Sequence, residues 1–279
     1  MTDQHPKVTI VTVTYNCVDV VERTILNVLR QTYPHIEYII IDGASTDGTR
    51  EVIERYADHL AYWKSEPDKG IYDAMNKAIT QATGEWIIFR NAGDYFYKPT
   101  TIADVFSWYH DKGESFITGG TRTFQHDGYY DYYLSPSHSD FWCHNYVSHP
   151  STFIRTAIQK HLPYATDLRI AADYAFFCQL RLRQCTFACY DGLLTLFDGE
   201  TGISSRSKRL AYEEKIVVAQ RLHAPQPIIK KLKRQYVSMR LREWPLRMIA
   251  HVRILKRLYR KMVFGNRWHD AQLTELFNK

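Results

Sequence analysis

A chain of 279 residues, 45% hydrophobic and 24% charged, has room for one large α/β domain, or for one domain with an appendage. Its five cysteines, Cys17, Cys143, Cys178, Cys185 and Cys189, form no CxxC pair, which excludes a recognisable zinc site or disulfide framework. The net charge of +6 conceals an asymmetry: residues 221–279 hold 15 of the 36 Lys and Arg but 3 of the 30 Asp and Glu, a net of +12, which leaves residues 1–220 with 21 against 27, a net of −6.

Residues 7–14 are β-branched almost throughout and predict a first strand, ended by Tyr15 and Asn16. Val21, Ile25, Val28 and Leu29 then recur at helical spacing. Residues 38–41 predict a second strand ending at Asp42. The loop 43–48 follows, with Asp47 or Thr49 placed to cap a helix running to about Tyr56. Residues 60–63 predict a third strand and 65–70 a loop, and Ala74, Met75, Ala78, Ile79 and Ala82 form the apolar face of the next helix. Residues 86–89 are a continuous apolar run, as expected of a central strand covered on both faces. They lead into the turn Asn91-Ala92-Gly93-Asp94. This alternation predicts an α/β fold with a mostly parallel, doubly wound sheet and helices on both faces.

After Ile102 the pattern loosens. Strands are predicted at 115–118, 128–133, 151–154, 186–190 and 193–197, and helices at 172–182 and 208–222. The sequence divides into a body over 1–220 and a basic helical region over 221–279. In that region Met248, Val252, Leu255, Tyr259 and Met262 make an apolar stripe opposite Arg253, Arg257 and Arg260, with Lys256 and Lys261 flanking. Such a helix either lies in an anionic membrane interface or packs on the body with its arginines solvated. The N-terminus lacks a basic region followed by an apolar run, and no apolar stretch approaches the length of a spanning helix; with the odd cysteine count, this fits a cytosolic chain held at the inner membrane face.

The first strands all end in polar clusters: Thr14-Tyr15-Asn16, Asp42-Gly43, Glu66-Pro67-Asp68 and 91–94. Ligands of open α/β sheets bind at this carboxyl edge. Asp42 can accept from a base N–H or a ribose hydroxyl, and Gly43 permits close backbone approach. Asp68-Lys69-Gly70 precedes a helix N-terminus whose amides can face phosphate. Asp94 either holds a hard divalent cation or bonds only its own turn. A GxGxxG after the first strand and a GxxxxGK[ST] are both missing, so dinucleotide and P-loop readings are weak.

The runs 11–16, 41–49, 65–78 and 91–94, in that order, strongly resemble the family 2 glycosyltransferases of the GT-A fold, and in particular bacterial enzymes building colanic acid, lipopolysaccharide and other surface polysaccharides. The likeness is dense over the first hundred residues and thinner to about Ser205. It implies an inverting transfer of a sugar from a nucleoside diphosphate donor, UDP-linked, to a saccharide acceptor carried on a lipid. By the same resemblance, Thr14, Asn16 and Asp42 hold the nucleoside, Asp68, Lys69, Gly70 and Asp73 line the donor pocket, and Asp94 is the last acid of a DxD-type site for Mg²⁺ or Mn²⁺. Tyr15, Gly43 and Asn91 are further donor-binding candidates. The departure is Ala92, since the motif's first Asp is missing. Asp173, in Ala171-Ala172-Asp173-Tyr174, matches the catalytic base; read without the resemblance it is a helix cap. His149 is a candidate contact to the acceptor, set against a structural role. Two rivals remain. A nucleotidyltransferase would want a glycine- and arginine-rich loop after the first strand, which residues 14–18 are not. A nucleic-acid-binding protein led by its basic tail leaves the acids at the sheet edge unexplained, so no nucleic acid is expected as partner.

Overall fold

A computed structural model of the protein describes residues 5–125, 128–133, 141–143, 146–199, 207–249 and 268–269, with side chains through residue 241. Strands β1 (Val8–Thr14), β2 (Ile36–Asp42), β3 (Tyr62–Ser65) and β4 (Trp86–Phe89) are parallel, in the spatial order β3-β2-β1-β4. They alternate with helices α1 (Val18–Leu29), α2 (Thr49–Glu54) and α3 (Ile71–Gln81). The doubly wound half of the expected fold is therefore in place. Beyond β4 the sheet is mixed. β8 (Thr152–Arg155) runs antiparallel to β4 and to β6 (Phe116–Gln125), which also pairs antiparallel with β7 (Gly128–Tyr132) and parallel with β9 (Phe187–Asp198). The short β5 (Tyr95–Phe96) pairs with β9, and β10 (Trp268–His269) with β7. Helices α4 (Thr101–Trp108), α5 (Thr156–His161), α6 (Ala172–Leu182), α7 (Lys208–Arg221) and α8 (Gln226–Ile249) follow among the described residues.

The period of two along each strand sorts the core. Val8, Ile10, Tyr38, Ile40, Trp86 and Ile88 bury against α1, α2 and α4. Val11, Val13, Ile39, Ile41, Ile87 and Phe89 bury against α3, α6 and α7. A strand covered on both faces needs apolar residues at every position, which is why these segments read as unbroken runs. Val218, Ala219, Ala224, Ile229 and Leu232 belong to this second cluster, so α7 and the start of α8 pack on the same core as the sheet.

Several boundaries differ from the sequence reading: β2 and β6 run beyond the expected 38–41 and 115–118, to Ile36–Asp42 and Phe116–Gln125. The third strand starts at Tyr62, because residues 57–59 form a 3₁₀ turn capped by Leu60 and the polar Lys64 and Ser65 pair with Ile41 and Asp42. The two late strands are one, β9, which crosses Asp191 and Gly192 through a register shift opposite Thr118 and Gly120. Of the basic stripe, Met248 falls in α8; Val252, Leu255, Tyr259 and Met262 lie outside the described residues. Among the described residues no helix is long and apolar enough to cross a membrane.

Candidate active site

The ends of β1 and β2 are tied together by side chains. Asp42 is fully buried and its carboxylate takes four hydrogen bonds: from Thr14 Oγ1 at 2.8 Å, Ser45 Oγ at 2.5 Å, the Ser45 amide at 2.9 Å and Ser65 Oγ at 2.6 Å. Burial pushes this carboxyl up, but the four donors outweigh it and hold the pKa below the usual range. Both oxygens of Asp42 are engaged within the protein, tying Thr14, Ser45 and Ser65 together at the ends of β1, β2 and β3. Asn16, at φ 45°, accepts the Thr46 amide on Oδ1 at 2.9 Å and donates its own amide to Ser45 Oγ at 2.8 Å. Asp47, expected only to cap α2, accepts the amides of both Thr49 and Val18 at 3.0 Å, joining the starts of α1 and α2.

Tyr15 is 66% exposed. A Cβ at Gly43 would stand 2.6 Å from Asp68 Oδ2 and 3.3 Å from Cδ2 of Tyr15, so the missing side chain is what lets Asp68 and the Tyr15 ring close over the β2 end. Asp68 Oδ1 accepts the Gly70 amide at 2.8 Å, and Asp73 Oδ2 accepts the Lys69 amide at 3.1 Å. Gly70, at φ 119°, turns the chain into α3 in a conformation that a side chain would strain. The Lys69 side chain is exposed beside this turn.

At the end of β4, Asp94 is buried (7% exposed), and burial raises its carboxyl to about 7 against the pull of the Arg90 guanidinium. Arg90 was not singled out from sequence. It is fully buried, donates from Nη1 to Pro150 O at 3.0 Å and Thr195 Oγ1 at 2.9 Å, and lies 3.9 Å over the Phe96 ring. Burial lowers it to about 10, so it stays charged at neutral pH. Among the described residues no group of three or more His, Cys, Asp or Glu is arranged to hold a metal. The donors present still fit a hard cation held mainly by a substrate diphosphate: one carboxylate, Asp94, and the buried Asn91 Oδ1, which has no hydrogen-bond partner.

Asp173 stands in the first turn of α6, after the cap residue Ala171, and its Oδ1 accepts the Tyr174 amide of that turn at 2.8 Å, so it does satisfy a helix-start amide as the cap reading has it. The Tyr72 hydroxyl, from the first turn of α3, is shared between Asp173 Oδ1 at 3.0 Å and Ile170 O at 2.6 Å. The acid of α6 is thus brought to the helix that follows the 66–70 loop. His149 is held by core contacts. It is buried, stacks on Phe89 at 5.1 Å, and its Nε2 is 2.8 Å from the Tyr164 hydroxyl. Burial lowers its pKa although the Asp173 charge draws it up. Its ring braces the β4 end from inside the core.

A sheet with this parallel half and an acidic carboxyl edge defines a GT-A-type transferase fold. The chain belongs to glycosyl transferase family 2, whose sequence model matches residues 9–183. Among its relatives, the uncharacterized glycosyltransferase Rv1514c of Mycobacterium tuberculosis is 38% identical over 109 residues, covering 39% of this chain and 42% of that protein. TuaG of Bacillus subtilis, assigned provisionally to teichuronic acid biosynthesis, is 38% identical over 103 residues, 35% of this chain and 40% of that one. The chain thus matches about two fifths of the length of these curated relatives. Among solved structures, S. aureus TarS in complex with UDP-GlcNAc superposes with a TM-score of 0.64 at 18% identity, covering 83% of this chain and 71% of that one. The mannosyltransferase PcManGT of Pyrobaculum calidifontis, in complex with GDP-Man and Mn²⁺, superposes with a TM-score of 0.62 at 19% identity, covering 82% and 68%. At these identities the likeness is one of fold.

Proposed function

We propose that the protein is an inverting glycosyltransferase that moves a sugar from a UDP-linked donor to a saccharide acceptor carried on a lipid, in the building of a bacterial surface polysaccharide. The observation that carries the reading is the approach of Asp173 to Tyr72, which sets a carboxylate beside the loop and helix start that follow β3. Asp173 takes the proton from an acceptor hydroxyl as its oxygen attacks the anomeric carbon. The bond from that carbon to the diphosphate breaks on the opposite face, its electron pair leaves with the diphosphate, and the anomeric configuration inverts. Tyr15 stacks on the base, Asn16 and Asp68 supply polar contacts at the nucleoside end, and Lys69 faces the phosphates. Asp94 and Asn91 would hold Mg²⁺ or Mn²⁺, which neutralises charge on the leaving diphosphate. Arg90 counters the desolvation of Asp94 and favours its ionised form.

The family membership, the names of the relatives and the nucleotide sugars bound by the structural neighbours support this reading. The basic residues of 221–279 support a peripheral hold on an anionic membrane, beside a lipid-linked acceptor. The direct test is a donor screen that reads nucleotide release from each sugar nucleotide with Mg²⁺ or Mn²⁺. One UDP-sugar turned over well above the others supports the reading, and no release from any donor contradicts it.

A further inference from the structure

Glu214, on α7, is a buried carboxylate whose partners are three consecutive backbone amides. Oε1 accepts from the Arg169 amide at 2.8 Å, and Oε2 accepts from those of Ile170 and Ala171 at 2.9 Å each. These amides lead directly into α6, whose cap residue is Ala171. Only the Ala171 amide belongs to the helix start, where amides left over by the helix carry its positive end; in the first turn the Tyr174 amide is taken by Asp173 Oδ1 at 2.8 Å. All three amides are met by a carboxylate from another helix, 43 to 45 positions further along the chain. Bonds to an ionised acceptor are the stronger kind, and three together fix the position of one short segment.

The same segment is held from the opposite side by α3. Tyr72 bonds Ile170 O and Asp173 Oδ1, and Asn76 pairs with both the amide and the carbonyl of Tyr164, at 2.9 and 2.8 Å. Residues 164–173 are thus clamped between α3, which follows the donor loop, and α7, which lies beyond the family match at residue 183. A buried carboxylate is expensive to desolvate, and a small polar residue at position 171 would cap α6 locally. What Glu214 adds over a local cap is a fixed distance between α7 and the turn that presents Asp173.

We propose that Glu214 is a positioning residue for Asp173, and that α7 is therefore part of the catalytic unit. The proposal rests on Asp173 being the base. It is tested in the full-length protein with Glu214→Gln, which keeps the shape but offers one acceptor oxygen and sets an NH₂ against an amide. Asp173→Asn and the double variant complete a cycle, and Glu213→Gln is the control, its side chain bonded instead to Arg209 and Tyr236. Turnover is read as UDP released from the donor selected by the screen, and donor-side integrity as UDP affinity by calorimetry. We expect Glu214→Gln to lower kcat by about tenfold to a hundredfold, the scale of a small misplacement of a reacting group. KM for the donor and UDP affinity stay at wild-type values, and Glu213→Gln is unchanged. In the Asp173→Asn background the Glu214 substitution costs nothing further. A Glu214→Gln variant that melts lower but keeps kcat, or whose loss multiplies with that of Asp173→Asn, overturns the proposal. If Glu214→Gln does not fold, Glu214→Asp, which shortens the reach by one methylene, must lower kcat at wild-type UDP affinity or the proposal fails. Asp173→Asn retaining wild-type turnover would instead remove the base assignment itself.

Discussion

The hydroxyl of Tyr72 lies 3.0 Å from Oδ1 of Asp173, across 101 positions of sequence. It joins the first turn of α3 to the first turn of α6, which ties the carboxylate to the helix that follows the 66–70 loop. Removing the hydroxyl while keeping the ring isolates this bond. Tyr72→Phe should lower kcat by about tenfold, the worth of one hydrogen bond to a charged group, with donor KM little changed. A loss confined to KM would show that Tyr72 serves the donor instead of the base. Steady-state kinetics with varied donor separates the two.

Asp94 is the only carboxylate of its turn, so Asp94→Ala should abolish metal-dependent turnover. It should also weaken UDP binding in the presence of Mn²⁺ by at least about tenfold, the scale seen when metal sites lose a supporting group. Calorimetry with UDP, with and without Mn²⁺, measures this. Undiminished metal-dependent affinity would reduce Asp94 to a turn residue.

At the opposite edge of the sheet, Glu37 is buried and accepts from Lys7 Nζ, Thr9 Oγ1, and the amide and hydroxyl of Thr83. Burial alone would raise this carboxyl, but the Lys7 ammonium and the Thr83 and Thr9 donors outweigh it and bring it down to about 2. A carboxyl depressed in the folded state stabilises above its unfolded pKa, and that stability is lost as pH falls toward the folded value. Glu37→Gln should therefore cost on the order of 3 kcal/mol at neutral pH, and the gap to wild type should close between about pH 4.5 and 2. Urea melts across that range check it. A gap that does not change with pH would mean the carboxylate is not stabilised by its partners.

For the basic C-terminal region, the core contacts of Ile229 and Leu232 set where a truncation is safe. A chain ending at Leu241 keeps them, whereas one ending at Ala224 strips them from the core. The full chain should sediment with anionic vesicles at low salt and be released by high salt, since each basic residue near such a surface contributes about 1 kcal/mol. The chain ending at 241 should sediment less. A full chain that ignores anionic vesicles removes the membrane role.

Much of the first half of this fold was legible because burial on both faces favours apolar and β-branched residues along most of β1, β2 and β4. Thr14, Asn16, Asp42 and Asp68 stand out as candidate site residues because strand ends are where turn formers and acids interrupt such runs. Their division of labour was not legible. That Asp42 is saturated while Tyr15 stays exposed and Asp68 closes against Gly43 depends on Ser45, Ser65 and the bare Cα of Gly43, which pattern alone does not weigh. The edge strand β3 was misplaced because its second half is polar, and β9 was split because Asp191-Gly192 looks like a turn but is a bulge. Arg90 was passed over as the end of an apolar run, although a charge abutting a buried strand is itself a signal. Glu214 carried no local signal, because its partners lie 43 to 45 residues away and are backbone amides.

The central claim is that Asp173 is the base of an inverting transfer, and Asp173→Asn addresses it most directly. Asparagine keeps the shape and can still accept from Tyr72, but it cannot take the proton. With the donor and acceptor in saturating amounts, turnover should fall by about two to four orders of magnitude while UDP affinity stays at the wild-type value. The wild-type product should carry the anomeric configuration opposite to that of the donor sugar. Near-normal turnover in Asp173→Asn, or a product of retained configuration, would contradict the account.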